Sequence, residues 1–192
     1  MGLDGIYISG YFEEEDYNIL DDYANELNSK NIPFYVRNLS GTIMQAAFDF
    51  ANFELIAISY TVLQQFILNG GYDLTKYFFL KLWRFIKKDH QNKIPFTISI
   101  EGIPTINGSE NIKCKIDGQI SDDIKMKAIE KTFELASQIE NNQIQILSKG
   151  RDYYTLEGHL FRYDSENNTF SKINIEDEAK KMTQRNSRTT DS

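Results

Sequence analysis

Few side chains in this sequence are suited to bond-making chemistry, and their spacing decides what each can do. Histidine is represented by His90, in a polar stretch, and His159, beside Gly158. Neither has a partner at metal-ligand spacing, so both read as ordinary surface residues. Cys114 is the single cysteine, in "NIKCKID". Lys113 and Lys115 would lower its thiol pKa if all three shared one surface. Neighbours in an alternating strand point to opposite faces, however, and the expectation is a small buried residue. A lone cysteine supports neither a disulfide nor a cysteine metal site. The carboxylates of "EEED" (13–16), Asp21 with Asp22, and Asp122 with Asp123 read as solvated helix starts and faces. "GIYISGYF" has too few glycines for a dinucleotide fingerprint, and no Walker lysine follows it. No catalytic residue, cofactor or metal is expected, and the chain reads as a binder more than as an enzyme.

Charge and composition narrow the partners. With 28 acidic against 21 basic residues and a net charge of −7, broad attraction to phosphate backbones is disfavoured, and nucleic acid is not an expected partner. The N-terminus has no basic region followed by a long apolar run, so no signal peptide is read. Ile6 stands where a myristoylation motif wants Ser or Thr. Together with the unpaired cysteine, this points to the cytoplasm. A chain of 192 residues, 41% of them hydrophobic, can bury one core. Residues 1–175 are read as a single domain, and 176–192, almost without apolar side chains, as a disordered tail.

The elements that must position any site follow from periodicity. "GIYISGY" (5–11) is a short β-branched run between glycines, which predicts a strand. Residues 14–29 predict a helix with Tyr17, Leu20, Ala24 and Leu27 on one face. "IPFYVRNLS" (32–40) is extended again, so the opening is β-α-β with its strands parallel. From 42 to 88 the chain is largely apolar and is read as a pair of helices broken at Gly70 and Gly71. Within it "FELIAISY" (53–60) is a run whose period separates helix from strand poorly; helix is preferred. "IPFTISIEG" and "ENIKCKIDG" alternate about Asn107-Gly108, which predicts an antiparallel hairpin. Ser121 caps a helix with Ile124, Ala128, Leu135 and Ile139 along one face. Residues 143–175 read as a β-meander. The expected class is α+β: a ferredoxin-like β-α-β/β-β-α sandwich with an apolar helical-pair insertion (42–88) and a C-terminal β-meander.

The most aromatic passage is "FILNGGYDLTKYFFLKLWRFIKK" (66–88). As a helix over 72–88, with Leu74 at the edge of the apolar half, it places Phe78, Phe79, Leu82, Trp83, Phe85 and Ile86 on that half and Lys76, Lys81, Arg84, Lys87 and Lys88 on the other. Its polar residues leave no clean apolar window long enough to span a bilayer. A core helix is the preferred reading, and a helix lying on an anionic membrane is the second.

Two family resemblances bear on function. "IYISGYF" leading into "EEEDYNILDDYANELNSKNI" resembles the start of nucleoside deoxyribosyltransferase-like proteins, with Tyr11 where proline is usual. That resemblance implies a pocket bordered by Tyr7, Ser9 and Tyr11, with Asp49 or Glu54 as nucleophile. The longer succession of strand and acidic helix, "VRNLSG", "YDLTKYFFLKLWRFIKK", and the hairpin "FTISIEG…NIKCKIDG" resembles, over residues 5–140, the effector-associated constant component proteins of bacterial conflict systems. It implies a non-catalytic adaptor in antiviral defence.

The leading expectation is therefore a cytoplasmic protein that binds a protein partner or a second copy of itself. With 13% aromatic residues, the chain has anchors to spare; Tyr72, Tyr77, Phe79 and Trp83 are the expected contact residues. The membrane alternative would use Lys76, Lys81, Arg84, Lys87 and Lys88.

Overall fold

The computed structural model describes residues 4–10, 12–38, 56–86, 96–116, 120–144 and 159–173. Strand β1 (Ile6–Gly10) leads into helix α1 (Asp16–Asn28) and strand β2 (Phe34–Asn38). Strand β3 (Ile56–Ser59) runs directly into helix α2 (Tyr60–Gly70), and helix α3 (Tyr72–Ile86) follows after Gly71. The long strands β4 (Phe96–Thr105) and β5 (Gly108–Ile116) precede helix α4 (Asp122–Glu140). Strands β6 (His159–Asp164) and β7 (Thr169–Lys172) close the described fold.

The class is α+β, with a mixed seven-stranded sheet in the order β2-β1-β3-β4-β5-β6-β7. The parallel β1–β2 pair and the antiparallel β4–β5 hairpin stand where periodicity places them. The strand order is not that of the expected ferredoxin-like sandwich, because β3 enters the sheet between β1 and β4. The preferred helix at 53–60 is thus corrected: Ile56–Ser59 is a strand, buried at every position. A central strand covered on both sides has no reason to alternate, which removes the signal that separates strand from helix. Of the expected meander, the described residues show the β6–β7 hairpin, with β6 paired in parallel to β5; residues 145–158 and the tail 176–192 lie outside the described residues.

Residues that pair across strands share a face, and this fixes where the core sits. Ile6, Ile58, Ile100 and Ile112 form one row, and Ile8, Ile56, Ile98, Cys114 and Phe161 the next. All are buried, the isoleucines and Phe161 each contributing about 1.5–3 kcal/mol as buried large apolar side chains. The described helices lie on this face. Tyr23 of α1 meets Phe34 edge-on at 6.4 Å, and Trp83 of α3 stacks on Phe96 with centroids 3.9 Å apart and planes at 5°. Phe79 and Phe133 join α3 to α4 at 5.1 Å. The other face carries Tyr35, Tyr7, Ala57, Ser99, Lys113 and Leu160 in one row, with Thr97, Lys115 and Arg162 in the next.

Helix faces differ from the wheel in two places. In α1 the buried side chains are Asp16, Leu20, Tyr23 and Leu27, while Tyr17 is exposed. Asp16 is not a solvated acid: its Oδ2 accepts from the backbone N–H of Glu13 at 3.0 Å, satisfying a donor at the helix start. The apolar half of α3, by contrast, is buried except at its edge: Phe78, Phe79, Leu82, Trp83, Phe85 and Ile86 all face inward, while Leu74 is exposed. No helix among the described residues is long and apolar enough to cross a membrane.

Candidate functional site: a hollow among three helices

Helix α3 has two flanks, and they are finished differently. On the α4 side, Lys76 sits 2.9 Å from Asp73 and 3.4 Å from Glu130, and these carboxylates push its pKa up. The Tyr72 hydroxyl donates to the Glu130 carbonyl at 3.3 Å; burial, followed by the charge of Glu130, raises that phenol to about 12. Arg84 Nε donates to Asp122 Oδ2 at 3.1 Å, and Lys125 reaches Asp122 Oδ1 at 2.7 Å. Lys125 and Arg84 together hold the Asp122 carboxyl below the usual carboxylate range. This flank is a seam closed by charge and hydrogen bonds.

On the α1 and α2 side there is an open hollow of about 140 Å³, lined by Glu26, Lys30, Phe66, Gly70, Leu74, Thr75, Tyr77, Phe78 and Lys81. Local sequence explains why it forms. α2 ends at Gly70, and Gly71, at φ 80°, makes the turn that starts α3 one residue later, a conformation that favours glycine. The Gly71 N–H donates to Ile67 O at 2.8 Å. Its carbonyl accepts from Thr75 Oγ1 at 2.9 Å. The two helices therefore meet at a tight corner, and with no side chain at Gly70 the corner stays open: a Cβ there would meet nothing within 4 Å.

The floor is aromatic and the rim is charged. Phe66 and Phe78 meet edge-on at 5.1 Å and are buried. Leu74 and Tyr77 stand beside them with 66% and 55% of their surface exposed. Lys30 Nζ lies 5.2 Å from the Phe66 ring centre and 3.6 Å from Glu26 Oε1. Lys81 Nζ lies 4.8 Å over the Tyr23 ring. Among the described residues no carboxylate pairs with Lys81. Such a site can bind; a cavity of about 150 Å³ accommodates an aromatic ring.

The residues singled out from sequence are dispersed. Of the expected contacts, Tyr77 is exposed beside the hollow, Tyr72 is half-buried in the seam, and Phe79 and Trp83 are core residues at 0% and 4% exposure. Their burial takes Phe79 and Trp83 out of reach of a partner. Of the cations, Lys76 and Arg84 turn toward acids near or on α4 while Lys81 turns toward α1, so they do not form one plane. Lys87 and Lys88 lie outside the described residues.

For the nucleoside reading, Tyr7 and Ser9 share the sheet face away from the described helices. Tyr7 stacks on Tyr35 at 4.4 Å and its hydroxyl donates to Asp4 at 2.8 Å. Burial and the Asp4 carboxylate raise the phenol to about 12. Tyr11, Asp49 and Glu54 lie outside the described residues.

Cys114 is fully buried, and burial pushes its thiol up to about 12, against a smaller opposite effect of a Thr132 hydrogen bond. Lys113 and Lys115 occupy the other sheet face, as alternation requires, yet Lys115 is buried. His159 is also not the free surface residue expected: its Nε2 lies 3.0 Å from Glu110 Oε2. His90 lies outside the described residues. No group of His, Cys, Asp and Glu with metal-holding geometry occurs among the described residues.

Sequence reasoning missed Leu74, Lys30, Glu26, Phe66 and Gly70. The Gly70-Gly71 pair was the available signal, since a helix corner without side chains leaves space. Comparison of the chain with models of protein families, with curated proteins and with solved structures found no match.

Proposed function

We propose that this protein is a non-catalytic adaptor that docks a partner protein at the hollow between α1, α2 and α3. The observation that carries the reading is the pairing of exposed Leu74 and Tyr77 with the floor of Phe66 and Phe78. Interface anchors are aromatic and aliphatic side chains gathered around a small desolvated pocket with a polar rim, and these residues supply those parts. The sequence resemblance to effector-associated constant component proteins extends the proposal to a cytoplasmic role in bacterial antiviral defence, with an effector as partner. It brings no site residues with it.

Leu74→Ser combined with Tyr77→Ser tests the reading, because both side chains are more than half exposed and their loss spares the core. Proteins retained by tagged wild type in its native cells are compared with those retained by the double variant. The candidate is then purified and titrated against both. A partner bound by wild type and at least tenfold more weakly by the double variant supports the proposal. Equal affinity for the two overturns it.

A further inference from the structure

The rim of the hollow specifies what its occupant must carry. The floor asks for an apolar group: Phe66 and Phe78 present rings, and the Thr75 hydroxyl already donates to Gly71 O at 2.9 Å. About 140 Å³ suits one large side chain. The rim asks for negative charge. Lys30 is shared with Glu26 at 3.6 Å, whereas Lys81 touches the Tyr23 ring and has no carboxylate partner among the described residues. A partner that covered Lys81 with apolar surface alone would desolvate a cation without compensation, which is costly.

Resting on the binding reading above, we infer that the docking segment presents one large apolar side chain with carboxylates immediately beside it. The chain as a whole carries −7, so an acidic molecule is repelled at long range and only carboxylates local to the anchor find attraction. That combination selects a motif in place of general acidity. A two-fold contact with a second copy through the same hollow would set rims of the same sign against each other, which favours a different partner. The seam on the opposite flank of α3 supplies the contrast: there Lys76 and Arg84 already have Glu130, Asp73 and Asp122.

The test uses the full chain, 15N-labelled, and synthetic peptides with a single Phe in a Gly/Ser backbone. One has Glu on both sides of the Phe, one has Lys there, and one keeps Glu but replaces Phe by Ala. The Glu-flanked Phe peptide is expected to shift the amides of Thr75, Tyr77 and Lys81, with the other two at least tenfold weaker. Lys81→Glu with Lys30→Glu weakens it roughly tenfold, as loss of exposed ion pairs and gain of repulsion should, and added salt weakens wild type in the same direction. Gly70→Trp, built where the corner is open, blocks it, and amide dispersion in the same spectra verifies that each variant is folded.

Equal binding of the Lys-flanked peptide overturns the inference. So does an unchanged affinity for the charge-reversed variant when Leu74→Ser abolishes binding; in that outcome the hollow still binds and only the charge requirement fails. If neither Leu74→Ser nor charge reversal alters binding, the docking reading itself fails. A dimer that Leu74→Ser dissociates, with no peptide bound, assigns the hollow to a second copy and overturns the inference.

Discussion

The two flanks of α3 are built from similar residues and finished in opposite ways. Toward α4, tyrosine, lysine and arginine are tied off by Glu130, Asp73 and Asp122. Toward α1 and α2, tyrosine, leucine and lysine are left beside an unfilled corner. The difference teaches that side-chain type alone does not mark a binding surface. A Tyr-Lys pair whose carboxylate lies on the next helix belongs to the scaffold, and the same pair with none among the described residues is the one the proposed docking reading uses. Between the flanks, the inward side of α3 holds both in place through Trp83 on Phe96.

The largest test of that division is Trp83→Ala. Removing a buried, stacked ring is expected to cost about 3–5 kcal/mol, read as a fall in urea midpoint with an unchanged slope. Tyr77→Ala, on the open flank, should stay within about 0.5 kcal/mol of wild type. Comparable losses for the two would erase the distinction between support and surface.

Next in size is Tyr72→Phe. It deletes the hydroxyl bond across the seam and should lower stability by about 1 kcal/mol, again by urea denaturation. Gly70→Ala probes the open corner and has the opposite sign. With space around its Cβ, alanine should stabilise by about 0.4–1 kcal/mol through reduced freedom of the unfolded chain. Destabilisation would mean the corner is not open.

The smallest effect is a pH dependence. Lys125 and Arg84 lower the Asp122 pKa in the folded state. The stability this confers is fully present above the unfolded value of about 3.9 and is lost as pH falls through the depressed folded value. The Asp122 side chain is about half exposed, so the contribution is reduced by solvent screening. Wild type should exceed Asp122→Asn slightly at neutral pH, and the gap should close in acid. A gap that widened in acid would contradict the seam's charge pairing.

Legibility in the sequence tracked periodicity. α1 and α4 each keep one dry side, and the β4–β5 hairpin alternates apolar with polar residues even where Phe96–Ile100 is buried throughout, so their spacing declares them, down to the Ser121 Oγ that accepts from Ile124 N. β3 was hidden because Ile56, Ala57, Ile58 and Ser59 are all buried and no alternation survives. The inward half of α3 is readable from its wheel, but aromatic content marks Phe79 and Trp83 as contacts while saying nothing about what lies opposite a ring, and both are buried. The hollow was the least legible part. Its walls come from α1, α2 and α3, and only their packing brings Lys30, Gly70 and Lys81 together.

The place of β3 has a consequence for how the molecule acquires its shape. One side of β3 hydrogen-bonds to β1, about fifty residues back, and the other to β4, about forty residues ahead. Neither partner is a sequence neighbour, so closing the middle of the sheet brings distant stretches together before much reward is collected, the condition under which chains fold slowly. Until Phe96–Ile100 has been synthesised, an apolar ribbon through Ile56 and Ile58 lacks the strand that covers one border, the kind of unpaired edge along which incomplete chains associate.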